Sequence, residues 1–154
     1  YTSSIFDPLG ILSPIILEPK LIIKSLWKEK LDWDDEIPQC LKTRFEIWKE
    51  NLEKWDAIEI PRWYGSVDIS KAELHIFTDV SSNAYGAIAY LRYQCQSKFK
   101  CSFVMSKSRL APLNEKQLTI PRLELQAAVL ACRMRATILE EIKGQIKSVF
   151  LWSD

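Results

Sequence analysis

Two segments of the chain share one pattern, in which a run of apolar residues is followed by a hydroxyl residue and then by an aspartate. These segments are His75–Asp79, with the sequence HIFTD, and Val149–Asp154, with the sequence VFLWSD. Apolar runs of this density are typical of strands that are covered on both faces, as in parallel sheets. If the two strands are parallel neighbours, their carboxyl ends coincide. Asp79 and Asp154 then lie side by side, at the edge where open α/β sheets usually bind ligands.

The residues around these two segments predict the rest of the sheet. Short connections with turn signals, such as Ser81–Asn83, favour an antiparallel three-strand meander, and a later helix implies a crossover to a parallel fourth strand. Gly86 within the second strand indicates that another backbone passes close to it. We therefore expect strands at Leu74–Asp79, Tyr85–Tyr93, Phe99–Lys107 and Ser148–Asp154, loop residues from Ser108 to Leu118, and a helix from about Pro121 to about Glu141.

The N-terminal part of the chain has a helical pattern instead. Asp7–Gly10 is expected to form a turn, and Pro14 and Pro19 are expected to delay the first helix to about Lys20, from where it runs to about Leu31. Pro61 interrupts an extended linker from Ile58 to Gly65. A second helix is predicted by a stripe of apolar residues at helical spacing, typical of packing rather than of a ligand set: Ile37, Leu41, Phe45, Trp48, Leu52 and Trp55.

The predicted organisation is therefore a small helical segment over residues 1–65, followed by an α/β domain over residues 66–154. The sequence leaves open whether the helical stripe packs on this domain or on another part of a longer protein. Neither end of the chain has the features of a natural terminus, so we expect an internal piece of a longer protein.

A third acid is predicted to join the two aspartates. Residues three and four apart share a helix face, so Glu124 lines up with Ala127, Ala128 and Ala131, whose small side chains let a helix lie close on a sheet. Three carboxylates brought together repel one another, and a cation relieves that repulsion. Hard oxygen ligands of this kind suit Mg²⁺ or Mn²⁺, and two such ions about 3.5–4 Å apart can activate a water and stabilise the leaving oxygen of a phosphodiester. Taken singly, each acid is more typical of a turn, a helix cap or a solvated surface.

Other chemistries fit the sequence less well. His75 is the only histidine and lies within a predicted strand, so we expect a structural role rather than a Ser-His-Asp device. No Asp-Ser-Gly or Asp-Thr-Gly motif of an aspartic peptidase occurs. The four cysteines form no C-x-x-C pair, which argues against a zinc site, and reduced thiols are expected. The sequence leaves open whether Cys95 and Cys101 form a disulfide across a hairpin.

The charge is distributed unevenly although the formal net charge is only +1. Residues 1–79 carry 15 acids and 10 bases, whereas residues 80–154 carry 5 acids and 11 bases. The stretch from Val80 to Asn114 holds no acid and five bases. A surface of one sign favours a polyanionic partner, although a solvated basic face explains it equally well.

Five segments together resemble the ribonuclease H region of Bel/Pao-type long-terminal-repeat retrotransposons. The segment from Phe77 to Ala87 resembles the first catalytic strand and turn of retroelement ribonuclease H domains, the segment from Thr119 to Ala128 their first helix with its catalytic Glu, and the segment from Leu151 to Asp154 their fourth strand with the second catalytic Asp. The segments Phe6–Pro14 and Ser106–Pro112 resemble sequence motifs of the Bel/Pao class in particular. Segments of this family are often labelled as Pao-type peptidases.

The resemblance implies a C-terminally truncated ribonuclease H-like mixed sheet and cleavage of the RNA strand of RNA–DNA hybrids by two Mg²⁺ or Mn²⁺ ions. Asp79, Glu124 and Asp154 would be the catalytic metal ligands, and residues 1–65 would connect this domain to the reverse transcriptase of the same polyprotein. Because the family carries a fourth acid further on, we expect the fragment to be inactive alone. We expect Lys107, Arg109 and Arg122 to lie nearest the nucleic acid, since hybrid duplexes are held mainly through phosphates and sugar hydroxyls.

Two alternatives remain open at this stage. The first is a non-catalytic nucleic-acid-binding remnant of the same fold, and the second is a scaffold or segment associated with a Pao-type aspartic peptidase. The expected location is intracellular, either cytoplasmic in a virus-like particle or nuclear, and not secreted. No membrane partner is expected, because no window reaches the roughly 18 apolar residues of a membrane span.

Overall fold

The structure, a computed structural model, describes residues 5–52, 54, 59–61, 63–64, 67–113, 118–142 and 146–153. Within these ranges, the chain forms two helices, then a four-stranded sheet whose third and fourth strands are joined through a long helix. The elements are α1 (Ser13–Lys28), α2 (Gln39–Leu52), a short 3₁₀ turn (Ile69–Lys71), β1 (Glu73–Val80), β2 (Ala84–Cys95), β3 (Lys98–Leu110), α3 (Ile120–Glu141) and β4 (Ser148–Trp152).

The sheet has the strand order β3-β2-β1-β4. β1 pairs with β2 and β2 with β3 in antiparallel fashion, whereas β1 and β4 are parallel neighbours, with Glu73 opposite Ser148 and Phe77 opposite Trp152. This arrangement confirms the predicted meander, crossover helix and parallel fourth strand. A Cβ built on Gly86 would lie 3.3 Å from the carbonyl oxygen of Lys107, which confirms the predicted close approach of a second backbone.

Helix α3 covers one face of the sheet and builds the main core. Pro121 lies in its first turn, where a missing N–H costs no helical hydrogen bond, as the sequence predicted. Strand residues that point towards α3 alternate with residues on the other face, so β1 contributes Leu74 and Ile76, both fully buried. The helix meets them with a row of buried side chains: Leu123, Ala127, Leu130, Ala131, Met134 and Ile138.

The other face of β1 and β4 is largely uncovered by the described residues, so the expectation that both strands are covered on both faces was wrong. Phe77, Phe150 and Trp152 keep 42%, 40% and 49% of their surface exposed. These rings cover one another instead: Phe77 stacks on Trp152 with ring centroids 6.0 Å apart. The high apolar content of β1 and β4 therefore has two causes: burial beneath α3 on one face, and a row of stacked aromatic side chains on the other.

Helix α1 begins seven residues before the predicted start at Lys20, so the prediction that the two prolines delay this helix was wrong. Pro14 occupies the first turn, where helices tolerate proline, and Pro19 lies inside the helix. A proline at position 19 cannot donate the hydrogen bond that the carbonyl of Ile15 would ordinarily accept. The indole N–H of Trp48 donates to that carbonyl at 2.8 Å, in a buried position, and so satisfies it from another helix.

This contact makes Trp48 more important than its place in the apolar stripe suggests. We expect Trp48→Phe to lower the free energy of unfolding by about 1–3 kcal/mol, because it keeps most of the apolar surface but leaves a buried carbonyl without a donor. Urea denaturation followed by circular dichroism measures the loss. Trp33→Phe is the matched control, since Trp33 is 98% exposed and its replacement should change the free energy by less than about 0.5 kcal/mol. Equal effects of the two variants would contradict the assignment.

The N-terminal segment packs on the sheet domain. The predicted turn at Asp7–Gly10 is present, with the N–H of Gly10 donating to the carbonyl of Asp7 at 3.3 Å. The N–H of Ser106 on β3 donates to the carbonyl of Leu9 at 2.8 Å, and its hydroxyl donates to the carbonyl of Gly10. Helix α1 therefore lies against β3, on the sheet face opposite α3, and joins the helical pair to the sheet.

Smaller differences from the sequence prediction concern element ends. β3 continues to Leu110, so the predicted loop begins later than Ser108, and β4 ends at Trp152. In the second helix Leu41 and Trp48 are buried, whereas Ile37 precedes the helix and is 41% exposed; Trp55 lies outside the described residues.

The four cysteines are free. No helix in the described ranges is long and apolar enough to cross a membrane.

Candidate metal-binding site

The end of β1 presents the first predicted site residue. Asp79 is exposed, and one of its carboxylate oxygens accepts a hydrogen bond from the N–H of Val80 at 2.8 Å. The hydroxyl of Thr78 donates to the carbonyl of Trp152 at 3.1 Å, which ties the ends of the two parallel strands together. Thr78, the hydroxyl residue that precedes Asp79 in the shared sequence pattern, thus helps to hold β1 and β4 together.

Glu124 reaches the same place from α3. Its neighbours Leu123 and Ala127 are fully buried against the sheet, so the helix is held close at this point. Glu124 itself is exposed, and lies beside the packing face rather than within it. Sequence reasoning placed Glu124 on the same helix face as the alanines, whereas the structure places it at the border of that face, and its role as a ligand stays a prediction.

A small cavity of about 50 Å³ brings these side chains together. It is lined by Thr78, Asp79, Val80, Glu124 and Ser153. Two acidic residues and two hydroxyl residues, which come from β1, from α3 and from the position after β4, thus line one cavity at the edge of the sheet. All of these groups offer oxygen atoms, which is the donor chemistry that Mg²⁺ and Mn²⁺ prefer.

The third predicted acid, Asp154, lies outside the described residues. Ser153, which precedes it in the sequence, lines the cavity with Asp79 and Glu124. Among the described residues there is no group of three or more His, Cys, Asp or Glu side chains that could hold a metal ion. The described part of the predicted site is therefore a pair of carboxylates, and its metal-binding and catalytic roles stay predictions.

A larger cavity of about 350 Å³ lies between the start of α1 and the sheet, and Asp79 and Thr78 line it as well. Lys107 also lines this cavity, so this predicted nucleic-acid-binding residue shares a cavity with Asp79. The hydroxyl oxygen of Ser108, another lining residue, is buried without a hydrogen-bond partner among the described residues. Sequence reasoning gave Ser108 no role, and no local pattern distinguishes it from its neighbours.

The other two predicted nucleic-acid-binding residues lie apart from Lys107. Arg109, on β3, lines a separate cavity of about 340 Å³ together with Arg133 of α3. Arg122 is exposed in the first turn of α3, two residues before Glu124. The three cations thus occupy different surfaces around the acidic edge, and contact with nucleic acid stays a prediction for each.

His75 has the structural surroundings that the sequence predicted. Its Nδ1 accepts a hydrogen bond from the indole N–H of Trp152 at 3.1 Å, and its ring stacks on Phe150 with centroids 4.9 Å apart. Its Nε2 lies 3.5 Å from the carboxylate of Glu73. These contacts join β1 to β4.

Glu73 organises the charges at the other end of β1. A hydrogen bond from the guanidinium of Arg92 is the main cause that holds the pKa of Glu73 below its ordinary value, with His75 and Lys147 adding to the effect. Arg92 also lies over the ring of Phe99, 3.8 Å from its centroid. One of the five bases in the acid-free stretch is therefore engaged by an acid from β1, so that stretch is not a single free basic surface.

Comparison with known proteins identifies the family. The family model described as Pao retrotransposon-like RNaseH-like domain matches residues 1–154, the whole chain. No curated protein matches the chain. The family match confirms the ribonuclease H-like α/β fold that the sequence predicted.

Two solved structures are among the matches. One is a foamy viral protease-reverse transcriptase in complex with dsDNA, at 14% identity and a TM-score of 0.45, which covers 99% of this chain and 31% of that chain. The other is a foamy viral protease-reverse transcriptase dRH in complex with ds DNA, at 13% identity and the same TM-score, covering 99% and 26%. The chain thus spans a third or less of these structures, and so distant a likeness carries no argument here. The family model, which covers every residue, shows that the chain belongs to the Pao retrotransposon-like RNaseH-like domain family.

Proposed function

We propose that this domain, as part of a retrotransposon polyprotein, hydrolyses the RNA strand of RNA–DNA hybrids by two-metal-ion chemistry of the ribonuclease H type. The observation that carries the proposal is the cavity lined by Asp79, Glu124 and Ser153, to which a strand and a helix each contribute one acidic residue. Like charges placed together are unfavourable unless a cation or a proton offsets them. Membership of an RNaseH-like family supports the same function.

The donor set suits Mg²⁺ or Mn²⁺. We propose Asp79, Glu124 and Asp154 as the ligands, with Asp154 following directly on Ser153 of the cavity. When bound, such ions supply an activated water and stabilise the charge of the leaving oxygen. The chain itself positions the ligands: the Val80 N–H orients the carboxylate of Asp79, and the bond from Thr78 to Trp152 holds the two strand ends at a fixed spacing.

The hybrid duplex and the reverse transcriptase domain are the proposed partners. Lys107 is the strongest of the three proposed phosphate contacts, because it lines the cavity that also includes Asp79. We propose residues 1–65 as the connection to the polymerase and residues 66–154 as the nuclease part. We propose an intracellular location for this activity, either in a cytoplasmic virus-like particle or in the nucleus. We propose that these 154 residues bind both the metal ions and the hybrid.

A cleavage assay on the polyprotein that carries this chain tests the proposal. A hybrid labelled on its RNA strand should be cut in the presence of Mg²⁺ or Mn²⁺ and left intact when the metal is removed with EDTA. A DNA duplex of the same sequence, the matched substrate control, should remain intact. Persistent cleavage in EDTA would exclude the metal mechanism. Tight binding with no cleavage at any metal concentration would favour the non-catalytic alternative.

A further inference from the structure

A basic groove lies at the junction of the helical segment and the sheet. It has a volume of about 660 Å³ and runs between the second half of α1, the β1–β2 turn and the residues that follow β3. We define the basic groove by its four cations, Lys24, Lys28, Lys30 and Arg44, together with Trp27 and Asn83, which also line it. No carboxylate lines the groove among the described residues.

Two of the four cations, Lys24 and Lys28, are held close enough to affect one another. Partial burial and then the charge of Lys28 lower the pKa of Lys24 below its ordinary value. The ammonium of Lys24 donates to the carbonyl of Asn83 at 3.3 Å, and Arg44 forms an ion pair with Glu18 at 2.8 Å. Lys28 and Lys30 are exposed. An anion in the groove would relieve the repulsion among these charges.

One wall of the groove is formed by the turn that follows β1. Asn83 belongs to the turn that begins just after β1, so it follows Asp79 closely along the chain. The carbonyl of Asn83 accepts hydrogen bonds from the N–H of Ala111 and from Lys24, which fixes α1 and the end of β3 to this turn. A polyanion that lies in the groove therefore contacts the turn that directly follows β1.

We propose that the basic groove binds the backbone phosphates of a nucleic-acid strand. Neighbouring phosphates match a row of lysine and arginine side chains in charge, and binding releases their counterions. Trp27 is 73% exposed, and its indole offers a flat apolar surface against which a base or sugar can pack. The proposal rests on the proposed function for the identity of the polyanion, but needs neither bound metal nor cleavage. It adds a phosphate-binding surface contributed by the helical segment.

The test measures binding of a fluorescein-labelled RNA–DNA hybrid to the full chain by anisotropy, in EDTA and over a series of KCl concentrations. The variant Lys28→Gln/Lys30→Gln removes two exposed groove charges. Lys98→Gln/Lys100→Gln removes two exposed charges from the β2–β3 hairpin and is the matched control. We expect the groove variant to lower the slope of log K against log[salt] by about two, with affinity falling about tenfold or more, and the control to change the slope by much less. Thermal unfolding verifies that both variants are folded.

Two outcomes would overturn the inference: a groove variant that binds the hybrid like the wild type, or equal losses of affinity in the groove variant and the control variant. Asp79→Asn separates this inference from the proposed function. If that variant keeps full binding but does not cleave in the polyprotein, while the groove variant binds weakly, both proposals are supported. If the groove variant binds weakly and Asp79→Asn cleaves as fast as the wild type, the groove is supported and the metal site is contradicted.

Discussion

Asp79→Asn in the polyprotein is expected to reduce cleavage of the hybrid by about 10²–10³-fold, because a bound metal ion stabilises the transition state by several kcal/mol and each 1.36 kcal/mol is worth a factor of ten. The neutral amide keeps the shape of the side chain but loses the charge that holds a divalent cation. Glu124→Gln should give a loss of similar size, since its carboxylate lines the same cavity as Asp79. Single-turnover rates at saturating hybrid measure the effect on the chemical step.

Matched controls separate the loss of a ligand from a general change in charge. Asp34→Asn and Glu140→Gln make the same chemical changes at exposed positions, the second on the same helix as Glu124. Both should cleave within about twofold of the wild type, because surface substitutions away from a site have small effects. Without metal, Glu124→Gln should be at least as thermostable as the wild type, because it removes a repulsion with Asp79. If Asp79→Asn and Glu124→Gln cleaved the hybrid as fast as the two controls, these carboxylates would be excluded as ligands.

Gly10→Ala is expected to lower the free energy of unfolding by about 2–4 kcal/mol, because two independent penalties apply at this position. Gly10 has a φ of 75°, a backbone conformation that disfavours any side chain. An added Cβ would also lie 1.9 Å from the carbonyl oxygen of Ser106, so the turn must move away from β3. That movement disrupts the hydrogen bonds from Ser106 to Leu9 and Gly10 that dock α1 on the sheet.

Gly86→Ala is the control for this substitution. Its added Cβ would lie 3.3 Å from the carbonyl of Lys107, a tight but adjustable contact. We expect a loss of at most about 1 kcal/mol there, since a small shift relieves the contact. Urea denaturation of both variants gives the comparison. A cost at Gly10 no larger than that at Gly86 would show that the turn is not a docking point for the N-terminal segment.

The sheet and its acidic edge could be predicted because their signals are local. The repeated pattern in β1 and β4 needs only the alternation of strand side chains and the rule that a helical crossover leads to a parallel strand. The position of Glu124 follows from helical periodicity and the small residues beside it. These features are encoded within single elements, so the residues themselves indicate which side chains meet.

The features that could not be predicted depend on contacts between distant parts of the chain. Pro19 interrupts the hydrogen bonding of α1, and only the hydrogen bond from Trp48 to the carbonyl of Ile15 reveals the replacement donor. The basic groove was missed because its cations come from the half of the chain with more acids than bases, although Lys24 and Lys28 share a helix face. The exposed aromatic row was missed because apolar density alone does not reveal which face of a strand is covered.

Manganese titration followed by nuclear magnetic resonance reports on the proposed metal site itself, since Mn²⁺ broadens the signals of nuclei close to it. For the 154-residue chain, we expect saturable broadening centred on Asp79, Glu124 and Ser153, reversed by excess Mg²⁺ and lost in Glu124→Gln. Broadening centred instead on the acidic run of residues 32–36, or rising without saturation at every exposed acid, would contradict a metal site at the end of β1.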